Sequence, residues 1–259
     1  MRLRRILRRP WTAAAARVMG TLTGVRTQAP VAALTFDDGP DPQSTPKFVG
    51  LLREYGARAT FFMVGEAARR YPEVVAEVVR GGHTIGSHSW DHPSFALASR
   101  EERRAQLRSW EAALRPYGAR LFRPPYGQLG LGARLDLMRA GYTVVGWSAD
   151  VGDWRERDAA KMTAGLLEKI VPGCIVVLHD AIYRPLLAES LPDRTPLLQA
   201  LEEALKRLAG RFSFVTVPEL LRAGRPRWEY WDRRPTRAFM ETYRLRTGAR
   251  PPGRVPLPR

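Results

Sequence analysis

Residues 31–40 read VAALTFDDGP, from Val31 to Pro40, and the reading of this stretch decides the fold class. Up to Phe36 the run is apolar except for Thr35, without the alternation of a strand that has one face in water. An unalternating strand is buried on both faces, as in parallel sheets covered by helices. The run stops on Asp37 and Asp38, and Gly39 and Pro40 then turn the backbone. Adjacent carboxylates repel and resist desolvation, so the pair is tolerable only in water or beside a strong positive charge.

Outward from this stretch the pattern repeats. ATFFMV, HTIGS, RLFR, YTVVGWS, CIVVLH and FSFVTV are further runs of strand length, separated by segments of helical spacing. Helices are expected from Pro46 to Tyr55 with Thr45 as N-cap, through Arg80, from Ser99, near 132–140, near 158–170 and near 196–208, with a last short one after FSFVTV. Ser99 and Glu102 have the spacing of a capping box. Strands and helices in sevenfold alternation argue for an α/β fold, a barrel more readily than an open sheet.

Charge divides the chain into three parts. Of a net +16, residues 1–30 carry seven Arg and no acid, and residues 222–259 carry eleven Arg against Glu229, Asp232 and Glu241. Residues 31–221 are therefore close to neutral, and the basicity lies in two arms. A basic arm is drawn to an anionic surface, and the aromatics Trp228, Tyr230, Trp231, Phe239 and Tyr243 of the second arm are of the kind that settles at lipid interfaces. Peripheral contact with an anionic membrane is the expected use of the arms, and no nucleic acid is expected as partner. The basic start of the chain is followed by a weak apolar stretch that Arg17 interrupts, so it reads as an anchor rather than a signal peptide. The single cysteine, Cys174, excludes an intramolecular disulfide and sits in an apolar run as packing.

The chemistry-bearing residues gather after the strands. Asp37-Asp38-Gly39, His88-Ser89-Trp90-Asp91-His92, Arg123-Pro124-Pro125-Tyr126-Gly127, Asp150-Val151-Gly152-Asp153-Trp154 and Leu178-His179-Asp180 each follow one strand. In a parallel barrel all these ends lie at one mouth. Three of the four histidines fall there, while His83 precedes its strand at the opposite end and reads as structural. His88 and His92, four apart, can aim two imidazoles at one point. A carboxylate converging on them completes a two-His, one-Asp set that leaves coordination positions open, as catalytic zinc sites do. One aspartate would then bind the ion, whose charge would hold the other as an anion.

These five segments resemble, in order and spacing, the motifs of the polysaccharide deacetylase family, the NodB-homology domain of carbohydrate esterase family four. The resemblance, over about residues 31–217, implies a distorted (β/α)7 TIM-like barrel as residues 31–221, with basic N- and C-terminal arms at 1–30 and 222–259. It implies Asp38, His88 and His92 as ligands of a divalent metal, zinc first and cobalt or nickel as alternatives, with Asp37 as general base. Arg123 would fix Asp37, and the Tyr126 N–H would hold an oxyanion. His179 would be the general acid, held protonated by Asp153, and Trp154 and Leu178 would wall the pocket for an acetyl methyl. The implied reaction is removal of N-acetyl groups from an amino-sugar polysaccharide or a lipid-linked amino sugar, in the cell envelope or at a membrane, on either face. An O-acetyl esterase with the same site and a catalytically silent glycan binder are the alternatives. Asp91, where relatives often carry Ser or Thr, would add charge near the metal or cap its loop.

Overall fold

The computed structural model describes residues 19–186, 190, 192–231 and 233–247. The expected N-terminal anchor, in residues 1–18, and the end of the second arm, 248–259, lie outside the described residues. Strand β1 (Thr21–Arg26) is followed by β2 (Val31–Asp37) and helix α1 (Thr45–Glu54), then β3 (Ala59–Met63), α2 (Gly65–Arg70) and α3 (Pro72–Arg80). Next come β4 (Thr84–Ser87) with α4 (Arg100–Leu114) and β5 (Gly118–Phe122) with α5 (Leu131–Arg139). Strands β6 (Thr143–Val144) and β7 (Ala149–Asp150) precede α6 (Ala159–Lys169), and β8 (Ile175–His179) precedes α7 (Thr195–Leu208). The described chain closes with β9 (Ser213–Phe214), α8 (Val217–Leu220), β10 (Arg225–Glu229) and α9 (Arg237–Thr247).

Seven strands form a curled, parallel half-barrel in the order β6-β5-β4-β3-β2-β8-β7, and β9 adds beside the start of β2. Strand parity then sorts the side chains. Leu34, Phe36, Phe61, Val176 and Leu178 point to the helix layer, where they pack with Phe48 and Leu52 of α1 and Leu201 and Leu205 of α7. Ala33, Phe62 and Ile175 point the other way, into a second cluster with Leu22, Val25 and Val145. Asp37 and His179 pair in register at the ends of β2 and β8 and share that inner parity.

Three departures from the expected elements have physical reasons. YTVVGWS is not one strand; it breaks after Val144, so the chain crosses from the edge beside β5 to the edge beside β8. A Cβ on Gly146, inside the break, would stand 2.9 Å from Thr21 Cγ2 and 2.9 Å from the Trp231 ring, so only glycine lets both neighbours in. Helix α1 is capped from Ser44, because Thr45 Oγ1 is engaged elsewhere: it accepts from the Asp41 N–H and donates to Asp180. The capping box at Ser99 and Glu102 forms as its spacing implies.

The charge-drawn boundaries at 30/31 and 221/222 run through a folded unit. β1 pairs antiparallel with β10, and Leu22 and Gly24 bridge to Val145 and Cys174, so both arms are laid against the open side of the half-barrel. Trp231 and Tyr243 are buried, and Trp228 and Phe239 are half-buried. Of the five aromatics expected at a lipid surface only Tyr230, 61% exposed, faces outward. No helix among the described residues is long and apolar enough to cross a membrane.

Candidate active site

Asp38, His88 and His92 come together, all buried, as the one His/Cys/Asp/Glu group among the described residues with metal-ligand spacing. Asp38 Oδ1 lies 3.4 Å from His88 Nε2 and 3.2 Å from His92 Nε2, and the two nitrogens are 3.2 Å apart. A tetrahedral ion with ~2.0–2.1 Å bonds requires donors about 3.3 Å apart, so the set fits a divalent cation. Each donor is aimed. His88 Nδ1 donates to the Arg123 carbonyl at 2.8 Å, which leaves Nε2 as the bare nitrogen. The Tyr183 N–H donates to Asp38 Oδ2 at 3.0 Å and turns Oδ1 to the imidazoles. Burial opposes the charge on Asp38, yet His92 and His88 hold it well below the usual carboxylate range, and burial keeps His92 neutral.

The loop between the histidines is braced from α4. Gln106 Oε1 accepts from the Trp90 and Asp91 N–H groups, and its Nε2 donates to Asp91 Oδ1 at 2.6 Å. Asp91 thus ties down the loop and stands outside the donor cluster. Asp38, Ser89, His92, Tyr126 and Arg184 have φ of 77°, 68°, 64°, 58° and 46°. These are the non-glycine residues in the left-handed region, each at a cost of about 1–3 kcal/mol, and they all lie on the loops around the cluster.

Asp37 has different company. Arg123 Nη1 donates to Asp37 Oδ1 at 2.8 Å and to Thr35 Oγ1 at 2.6 Å, and Nη2 to the Gly146 carbonyl at 2.9 Å. The guanidinium is fully buried, 4.2 Å over the Phe62 ring. Two like charges about 4 Å apart repel by about 4 kcal/mol at an effective dielectric of ~20. An arginine in direct contact with Asp37 outweighs that repulsion, so the adjacent aspartates stay charged with separate counter-charges.

His179 stands beside Asp37 across the β2–β8 pairing. Asp153 takes the His179 N–H at 3.0 Å and lies 3.1 Å from Nδ1. Burial disfavours the imidazolium, but Asp153 overrides it and pushes the pKa up to about 9. Sequence reading missed the residue behind Asp153: Arg194, buried, donates from Nη1 to the Asp153 carboxylate and carbonyl, each at 3.2 Å. A lone arginine in a loop of an Arg-rich chain carries no signal of this.

A cleft of about 340 Å³ opens on these groups, lined by Asp37, Asp38, His88, His92, Tyr126, Trp154 and His179 among others. Trp154 is a wall, as expected. Leu178 is not: its parity turns it into the helix-side core, fully buried, and Val177 lines the cleft instead. The missed walls are Trp147, Tyr183, Arg233 and Phe239. Phe239 and Tyr243 of α9 pack on the Tyr126 ring at centroid distances of 5.0 and 6.4 Å. His83, as expected, is structural: Nδ1 accepts from the Ala59 N–H, and burial lowers its pKa to about 4.

The polysaccharide deacetylase family model matches residues 24–145. A peptidoglycan-N-acetylglucosamine deacetylase of Bacillus cereus is 35% identical over 197 residues, covering 74% of this chain and 88% of its own. A chitooligosaccharide deacetylase of Azorhizobium caulinodans is 36% identical over 151 residues, 57% of this chain and 72% of its own. The crystal structure of a peptidoglycan N-acetylglucosamine deacetylase superposes with a TM-score of 0.70 at 28% identity, covering 79% of this chain and 94% of the other. The relatives span the half-barrel that carries the buried Asp38, His88 and His92, and with this fold and this degree of identity the chain belongs to the polysaccharide deacetylase family.

Proposed function

We propose that this protein is a metal-dependent hydrolase that removes N-acetyl groups from an amino-sugar glycan of the cell envelope, with Asp38, His88 and His92 holding the ion. The observation that carries the reading is the flanking of this cluster by a carboxylate paired to a buried arginine and, in register beside it, an imidazole held protonated by Asp153. The named relatives act on peptidoglycan and chitooligosaccharide, which supports the glycan and the envelope. Zinc is the ion proposed first, since two imidazoles and a carboxylate with open positions form its usual catalytic donor set.

When bound, the ion supplies Lewis acidity and lowers the pKa of water toward ~7. Asp37, kept anionic by Arg123, takes the proton of the water that attacks the acetamide carbon. The developing oxyanion accepts the Tyr126 N–H, presented from a backbone at φ 58°. His179 gives its proton to the departing nitrogen, which cannot leave as an anion. Asp153 holds the imidazole in that state and orientation, with Arg194 behind it. Trp154 bounds the cleft where the acetyl group sits.

An ester leaves as an alkoxide and needs less from the acid. Acetate release from an N-acetylglucosamine oligomer and from an O-acetylated xylan, by the wild type and His179→Ala, separates the two uses of the site. The amide rate is expected to fall about 10²-fold or more beyond the ester rate. Equal losses would contradict the role given to His179, and release from the ester alone would reject N-deacetylation.

A further inference from the structure

The second basic arm enters the cleft. Trp231 Nε1 donates to the Gly127 carbonyl at 2.9 Å, and the Leu129 N–H donates to the Arg233 carbonyl at 3.0 Å. These two bonds fasten residues 231–233 to the loop that carries Tyr126. The Arg233 guanidinium lies 4.0 Å from the Trp231 ring centre and 5.2 Å from that of Trp147. Stacking on indole holds a guanidinium by its face, while its N–H groups point outward along the edge, in the fork that matches a carboxylate or phosphate.

Nothing on the protein side uses that fork. Among the described residues no carboxylate stands in ion-pair contact with Arg233, although Asp37, Asp38 and Asp150 line the same cleft. The other arginine of the cleft lining is committed: Arg184 Nη2 meets Glu66 at 2.8 Å. A cation oriented by two aromatic rings, beside a reacting centre and without a counter-charge, is complementary to a negative group on what binds there. A neutral chain of N-acetylglucosamine would leave it unanswered.

We propose that Arg233 is a specificity residue that holds an anionic group, a carboxylate or a phosphate, on the substrate close to the sugar whose acetamide is cleaved. This rests on the deacetylase reading and narrows its substrate class to acidic glycans or phosphorylated amino sugars.

The test measures kcat/KM for acetate release by the full-length, zinc-loaded protein on four probes. They are an N-acetylglucosamine tetramer, an oligomer alternating N-acetylglucosamine with N-acetylmuramic acid, the same oligomer with its carboxylates converted to methyl amides, and a 1-phosphorylated N-acetylglucosamine dimer. The wild type is expected to favour one anionic probe over the neutral ones by about 10-fold, mostly through KM, and the favoured probe tells carboxylate from phosphate. In Arg233→Gln that ratio is expected to fall to within about twofold of unity, with Arg233→Lys between the two. No anionic preference in the wild type, or one that Arg233→Gln keeps, would overturn the proposal. Salt gives a reading on the unaltered chain: between about 0.05 and 0.5 M the preference is expected to shrink, and a flat response would contradict it. Should no probe be hydrolysed, the deacetylase reading falls by itself. Calorimetric binding of the muramic acid oligomer and the phosphorylated dimer then decides Arg233: tighter binding of either by wild type than by Arg233→Gln supports it, and equal binding of both overturns it.

Discussion

Asp37 and Asp38 are neighbours in the chain and face different partners: Arg123 meets the first, two imidazoles the second. That division gives them separate work. Asp37→Asn keeps the shape and removes the base, so acetate release is expected to fall about 10²–10⁴-fold while one metal per chain still binds. Loss of metal together with activity would put Asp37 among the ligands instead. His179 sets the alkaline limit. With its pKa raised from the ordinary 6.5 to about 9, it is protonated below that pH, and amide hydrolysis is expected to decline as pH rises through about 9. Asp153→Asn removes the main stabiliser of the cation, so the alkaline limb is expected about 2 pH units lower, and an unmoved limb would contradict the pairing. The same shift bears on stability in the chelated protein: a raised histidine pKa contributes stability present in full below 6.5 and lost as pH rises through about 9. Urea midpoints should therefore decline over that window, less so in Asp153→Asn. These residues were legible because acids and imidazoles seldom cluster after strands without a task. Arg194 was not, since its meaning lies in a contact 41 residues away in the chain.

At the scale of elements, register does the aiming. β2 and β8 pair Phe36 with Leu178 and Asp37 with His179, so one residue of slip would send the base and the acid into the helix-side core. The parity that brings His179 to the cleft takes Leu178 away from it, which the sequence could have told by counting along CIVVLH from a known inward residue. The break between β6 and β7 was less legible, because YTVVGWS has the β-branched composition of one strand and its turn at Gly146 follows from β1 and Trp231, both distant in sequence. Gly146→Val would press a branched side chain on both. It is expected to cost about 1–3 kcal/mol in denaturant unfolding, and an unchanged midpoint would mean that the close approach is dispensable.

For the molecule as a whole, charge and architecture divide the chain in different places. Composition separates two basic arms, but β1 and β10 close the open side of the half-barrel together, and α9 packs on the loop that carries Tyr126. The core domain was legible because repeated apolar runs and five ordered motifs are local in sequence. The arms were not, since arginine on a half-exposed strand looks like arginine on a tail, as Arg227 illustrates by bonding Thr23 across 204 residues. A chain ending at residue 221 is therefore expected to expose Leu22 and Val25, to unfold at lower denaturant and to lose the wall at Tyr126 along with most activity. Full stability of that chain would restore the reading of the second arm as an appendage. The central claim, that Asp38, His88 and His92 hold an ion that works with Asp37 and His179, is tested most directly by titrating zinc into the chelated protein while following acetate release from an N-acetylglucosamine oligomer. Activity should rise in proportion to zinc, saturate at one ion per chain and fail to return in His92→Ala; release from the chelated protein without added metal, or saturation without activity on any acetylated glycan, would contradict the account.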